Sequence, residues 1–244
     1  MKVTENEVQE YWTVRAHDFG VVRRNEICDD ISLRWAAELK AHLPEGRRLR
    51  ILDAGTGTGY FAVLLAELGH EVTGIDLTPA MIDEARALAR DRGVDASFAV
   101  MDAQEPSFAD GSFDAVVSRN LTWTLPEPEK AYAQWLRVLR SGGVLLNFDA
   151  SYADNVRNNA KNDSHLPKGM VYGHCGITPE LESENARITL GMPMSARRRP
   201  DWDVAFLRSL GAEKCESDET AGKRILLQND LADAPMFLIK AIKK

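Results

Sequence analysis

Three carboxylates and three alternating glycines are spaced for chemistry. Asp53 closes the apolar run Ile51-Leu52 and leads through Ala54-Gly55-Thr56-Gly57-Thr58-Gly59 into the amphipathic segment opened by Tyr60 and Phe61. Without a Cβ at alternate positions, the main chain can lie directly against a ligand. A helix that starts just after such a turn points its free N–H groups at that ligand. Asp76 ends a second apolar run, 21 residues after Gly55 (76 − 55), where a carboxylate can accept both hydroxyls of a ribose. Asp102 follows a third run in Val100-Met101-Asp102-Ala103; alone, it reads as a turn or capping residue.

The glycine spacing separates two cofactor classes. A dinucleotide fingerprint, G-x-G-x-x-G, requires glycine or alanine at position 60, where Tyr60 stands. A Tyr-x-x-x-Lys pair is also missing. Both observations disfavour a nicotinamide oxidoreductase.

The surrounding pattern alternates strand and helix, which predicts an α/β fold with a parallel sheet covered on both faces. Predicted strands run Arg50–Ala54, Glu71–Asp76, Ala96–Met101, Phe113–Ser118 and Val144–Asp149. Thr78 caps a helix whose first residue is Pro79, and Gly93 ends it. A further helix spans about 127–140. Ahead of the sheet, helices are expected over 5–20 and 24–43, the second with Ile27, Ile31, Trp35, Leu39 and Leu43 along one stripe. Residues 151–200 are rich in Asn, Pro, Gly, Met and His and lack sustained periodicity. We read them as an insertion over the C-terminal strand ends, where open α/β sheets bind ligands. A helix over 201–210 and strands over 213–218 and 235–242 complete a single domain: N-terminal helical lid 1–46, core 47–150, cap 151–200, and the end of the sheet 201–244.

The composition is that of a globular protein: 44% apolar and 27% charged residues over 244 positions. A net charge of −7 (30 − 37) argues against a nucleic-acid partner across the whole surface. Cys28, Cys175 and Cys215 form no Cys-x-x-Cys pair, so neither a disulfide framework nor a zinc site is expected. The polar N-terminus and the lack of a run of about 20 apolar residues predict a cytoplasmic protein without a membrane partner.

Asp53 to Gly59 resembles motif I of the class I S-adenosylmethionine-dependent methyltransferases, a Rossmann-like doubly wound fold of about seven strands with an antiparallel C-terminal strand. Ser112-Phe113-Asp114-Ala115-Val116-Val117 is similar to the family's strand-four motif, and Leu136-Arg137-Val138-Leu139-Arg140-Ser141-Gly142-Gly143 to the motif before strand five. The resemblance covers roughly 48–149 and is greatest to small-molecule enzymes such as the quinone-biosynthesis methylases. It implies S-adenosyl-L-methionine as cofactor. Gly55, Thr56 and Gly57 would let the methionine part pass, with Asp53 organising its ammonium group. Asp76 and Leu77 would hold the ribose, and Met101, Asp102 and Ala103 the adenine. Arg119 would approach the methionine end, and Asn120 and Trp123 the methyl acceptor.

Tyr11-Trp12-Thr13-Val14-Arg15-Ala16-His17-Asp18-Phe19 resembles the helix that folds over the cofactor in this branch. Tyr11, Arg15 and Phe19 share a face at four-residue spacing. Tyr11 could lie near the sulfonium, which an aromatic face attracts; Arg15 either pairs with the cofactor carboxylate or is solvated.

Methyl transfer from a sulfonium is an in-line displacement that needs alignment and no metal. Base candidates are Asp149, His17, His165 and His174, with Tyr152 as an orienting group. Arg197-Arg198-Arg199 is either a solvated face or, in an acidic protein, a bidentate clamp for a carboxylate acceptor. The expected partner is a small molecule or peptide, most readily methylated on oxygen. N- or C-methylation, an NAD-dependent oxidoreductase and a non-catalytic cofactor binder are the alternatives. Oligomeric state is not legible.

Overall fold

The computed structural model describes residues 3–162, 176–227 and 235–244. In chain order the elements are α1 (Glu5–Ile27), α2 (Asp30–His42), β1 (Arg50–Ala54), α3 (Tyr60–Glu67), β2 (Glu71–Asp76), α4 (Pro79–Arg92), β3 (Ser97–Val100), β4 (Phe113–Arg119), α5 (Pro128–Val138), β5 (Leu139–Ala150), α6 (Tyr152–Asn162), α7 (Pro179–Gly191), α8 (Asp201–Ser209), β6 (Glu213–Asp218), α9 (Ala221–Ile225) and β7 (Met236–Ile242). The strands form one seven-stranded sheet in the order β3-β2-β1-β4-β5-β7-β6. β7 runs antiparallel to both β5 and β6, and the remaining pairs are parallel. This is the expected Rossmann-like sheet, and its order reverses between β1 and β4.

The period of two along each strand builds two cores. Ile51, Ala115, Val117, Leu146 and Phe148 face one side, where Trp35 and Leu39 of α2 and Phe61 and Leu65 of α3 pack on them. Leu52, Val116 and Leu145 face the other, against Tyr132 and Trp135 of α5 and Leu207 of α8. Trp35, Phe61 and Phe148 meet edge to face at 4.9–5.8 Å between ring centres, a geometry that aromatic quadrupoles favour.

Three predicted boundaries are corrected. The first helix continues through Gly20 to Ile27, because Gly20 serves close packing: a Cβ there would lie 2.6 Å from Glu84 Oε2 of α4. The break falls instead at Asp29, whose carboxylate accepts the Asp30 N–H at 2.6 Å. β5 begins at Leu139, directly after α5, and reaches Ala150, with a register shift opposite Phe113/Ala115. The segment 151–200 is largely helical where described. Thr178 caps α7 by accepting the Leu181 N–H, with Pro179 behind it.

α7 packs on α1. Ile188 and Met192 join Val3, Val8 and Tyr11 in a third apolar cluster. Arg187 reaches Glu7 at 2.8 Å and Asn185 donates to the Tyr11 hydroxyl at 3.2 Å. These two helices, with α6, close over the C-terminal ends of β1, β2 and β4.

Candidate active site

A cavity of about 670 Å³ opens between those strand ends and helices α1, α6 and α7. That volume lies within the ordinary range for small-molecule sites. Its floor is the β1–α3 turn. Gly55, Gly57 and Gly59 all have left-handed φ, at +67°, +53° and +84°, which only glycine adopts without strain. Their roles differ in space. A Cβ on Gly55 would strike Leu121 at 2.6 Å and one on Gly59 would strike Ala85 at 2.8 Å, so both permit packing. Gly57 has nothing within 4 Å of that position; its bare face opens on the cavity.

Asp76 leaves β2 beside this turn. Its carboxylate accepts the Gly57 N–H at 3.0 Å and the Thr78 N–H at 2.9 Å. Burial raises its pKa above the usual carboxylate range despite those bonds. Asp53 is buried one strand away and accepts from Thr56 Oγ1 at 2.6 Å. Burial, with the Asp76 charge adding, pushes its carboxyl up to about 7; the Thr56 bond and the Arg119 charge pull the other way. The Thr58 hydroxyl is buried with no hydrogen-bond partner among the described residues.

Asp102 lines the same cavity and accepts the Gln104 N–H at 2.7 Å. The Gln104 amide then ties Asp102 to Glu5 of α1 at 2.8 Å, while its oxygen accepts the Glu127 N–H at 2.7 Å. Gln9 donates to the Leu77 carbonyl at 2.8 Å. Helix α1 is thus laced to the ends of β2 and β3 by two glutamines that the sequence reading passed over.

Tyr11, Arg15, Phe19 and Arg23 form one face of α1 and all line the cavity. Arg15 is buried, so the solvated alternative for it does not hold. Arg23 and Arg119 share the buried Glu26; Arg119 reaches it at 2.9 Å and lies 4.4 Å from the centre of the Trp35 ring. The four-residue spacing from Tyr11 to Arg23 was visible in the sequence, but reading Gly20 as a helix end hid its last member.

Of the remaining expected residues, Thr56, Leu77, Ala103, Asn120, Trp123 and Tyr152 line the cavity. Trp123 and Tyr152 rings lie 5.0 Å apart, and Trp12 adds a third ring 6.5 Å from Trp123. Met101 is outside the lining; it is partly buried against the second core, and its sulfur accepts the Ser107 N–H.

The expected acceptor clamp is overturned. Arg199 is buried behind the cavity wall, 3.0 Å from Asp149 and 2.9 Å from Asp203. Arg197 pairs with Glu129 and lies over Trp202, and Arg198 pairs with Asp201 in solvent. None of the three lines the cavity. Asp149 falls with them as a base: it has no exposure and is held by Arg199 and the Thr122 hydroxyl. His17 is also excluded, because it sits exposed against Glu84 on the outer side of α1. His165 and His174 lie outside the described residues.

Residues 52–147 match the family described as Methyltransferase domain. That match spans 96 of the 244 residues (52–147) and marks this part of the chain as similar to methyltransferase domains. A demethylmenaquinone methyltransferase of Thermus thermophilus is 40% identical over 47% of this chain and 53% of its own length. The aklanonic acid methyltransferase DauC of a Streptomyces is 40% identical over 41% of this chain and 52% of its own. The chain spans about half the length of the curated relatives it matches. A phosphoethanolamine N-methyltransferase 2 of Haemonchus contortus, solved with S-adenosyl-L-methionine, superposes with a TM-score of 0.58 at 20% identity, covering 85% of this chain and 51% of its own, a likeness of fold. The methyltransferase match coincides with the glycine turn, Asp76, Asp102 and β4; α1, α6 and α7, which roof the cavity, lie outside it. No helix among the described residues is long and apolar enough to cross a membrane.

Proposed function

We propose that this protein transfers the methyl group of S-adenosyl-L-methionine to a small molecule held beneath α6 and α7, leaving S-adenosyl-L-homocysteine. The observation that carries this reading is Asp76: its carboxylate stands at the end of β2, fixed by the Gly57 and Thr78 amides, beside the one glycine of the turn whose Cβ space is open. When bound, the cofactor supplies a methyl group already activated on a sulfonium, so the protein's task is alignment and exclusion of water.

The residues fit that task. Asp76 accepts the ribose hydroxyls and Asp102 an adenine amino hydrogen, with Leu77 and Ala103 beside them. Asp53 and Arg15 carry the charges suited to an ammonium and a carboxylate. The buried Thr58 hydroxyl, without a partner among the described residues, supplies a further polar contact. Tyr11 and Trp12 offer ring faces that favour a cation.

Methylation on oxygen is the finer reading, with its carboxylate version withdrawn. The described lining includes neither lysine nor histidine, so an acceptor whose hydroxyl is already acidic, such as a phenol or enol, suits it best. The cavity volume accommodates a small molecule or one side chain of a peptide. Incubation with methyl-labelled S-adenosyl-L-methionine and a panel of phenols, amines and carboxylic acids tests this reading. Label moving into a phenol with release of S-adenosyl-L-homocysteine is expected. Label moving only into carboxylates, or into none of the panel, contradicts it.

A further inference from the structure

We infer that Glu5 of α1 recognises the cofactor's adenine together with Asp102: each carboxylate accepts one hydrogen of the 6-amino group, so the site selects a base with an amino group over one with a carbonyl there. This deepens the methyl-transfer reading and rests on it.

Glu5 is the first residue of α1, and the start of that helix is fixed. Thr4 and Glu7 form a capping box, in which the Glu7 carboxylate accepts the Thr4 N–H at 2.7 Å. Arg187 of α7 holds Glu7 at 2.8 Å, and Gln9, one turn on, donates to the Leu77 carbonyl at 2.8 Å. The Glu5 side chain is thereby held just beyond β3, where Glu5, Asp102 and Gln104 line the cavity together.

One amide bridges the two acids. Gln104 Nε2 donates to Glu5 Oε1 at 2.8 Å and to Asp102 Oδ1 at 3.2 Å. The carboxylates are therefore spaced to share a planar NH2 group, and an adenine amino group presents the same diverging pair of hydrogens. Gln104 is buried and its oxygen accepts the Glu127 N–H at 2.7 Å, which fixes the sense of the amide. Among the described residues, neither carboxylate accepts from any residue but Gln104. A carboxylate has about four acceptor sites, so both keep capacity for a donor in the cavity. Burial, and then the Asp102 charge, raise the Glu5 pKa, as expected of two like charges facing one space. A second donor between them relieves that repulsion, whereas a carbonyl oxygen adds to it. An enclosed amino group leaves neither hydrogen unpaired; Asp102 takes one and Glu5 the other.

Calorimetric titration of the full chain with S-adenosyl-L-homocysteine and with S-inosyl-L-homocysteine, whose base carries a carbonyl in place of the amino group, tests the proposal. The wild-type protein is expected to bind the adenosyl compound at least about a hundred-fold more tightly, from two hydrogen bonds to charged groups. Glu5→Ala should cut that preference at least about ten-fold, by weakening the adenosyl compound while leaving the inosyl compound no weaker. Glu5→Gln, which keeps the side-chain length and can donate to the carbonyl, should cut it as well. Were Glu5 only a fastening for α1, its replacement would weaken both ligands alike. No preference in the wild type, or an unchanged preference in either variant, overturns the inference and leaves the methyl-transfer reading in place. Failure of S-adenosyl-L-homocysteine to bind the wild-type protein overturns both.

Discussion

Asp149 and Arg199 meet at 3.0 Å with 0% and 2% of their side chains exposed. Asp203 takes the other side of the guanidinium, and Tyr132, Thr122 and Asn147 extend the network through hydrogen bonds. This polar core ties α8 to β5 and to the turn Thr122–Thr124, which carries Trp123 into the cavity wall. Removing the arginine would strand two buried carboxylates. Arg199→Ala is expected to destabilise the fold by about 3–5 kcal/mol, read from the urea midpoint. A change below about 1 kcal/mol would show that the network contributes little.

The three glycines of the β1–α3 turn should separate stability from binding. Gly55→Ala meets both left-handed strain and a contact at 2.6 Å with Leu121, so a loss of about 2–4 kcal/mol is expected. Gly57→Ala carries the backbone strain alone, since its Cβ enters open space. It should cost less stability, about 1–2 kcal/mol, yet weaken cofactor binding at least about ten-fold by intruding on the ligand's path. Thermal melts and cofactor titrations of the two variants give the comparison; equal effects on both quantities would contradict it.

Much of this site was legible because its parts are local. The turn, the helix that starts at Pro79 and the strand-ending Asp76 are written in contiguous residues whose spacing dictates geometry, although Thr78 stands at the N-cap position without a side-chain capping bond. What escaped depends on contacts between distant segments. Arg199 looked like a free cation because Asp149 and Thr122, 50 and 77 positions away, give no local sign of pairing with it. Gly20 looked like a stop because nothing nearby in sequence reveals Glu84 above it. Gln9 and Gln104, which fasten α1 to the sheet, follow no periodic pattern. The helices of 151–200 were obscured by their composition, although the Thr178-Pro179 start was present to be read.

Cofactor binding is expected to depend on pH through Asp53. Its carboxyl is pushed up to about 7 by burial, against about 3.9 in an unfolded chain. The folded protein therefore retains a proton that the unfolded chain has lost, and this group's contribution makes stability fall as pH rises from about 4 to about 7, then level off. A cofactor ammonium favours the ionised form, so affinity should rise through pH 7 and reach a plateau above it. At pH 6, binding should expel up to about one proton from this group, measurable by calorimetry in buffers of differing ionisation enthalpy. Asp53→Asn should remove that share. Release identical in wild type and variant would contradict the assignment.

The most direct test of the account is titration of the purified protein with S-adenosyl-L-homocysteine, set beside NAD and beside the Asp76→Ala variant. One-to-one binding of the homocysteine compound, no binding of NAD, and a loss of at least about a hundred-fold in the variant, from two charge-assisted hydrogen bonds, are predicted. Saturable NAD binding, or homocysteine binding indifferent to Asp76, would contradict it.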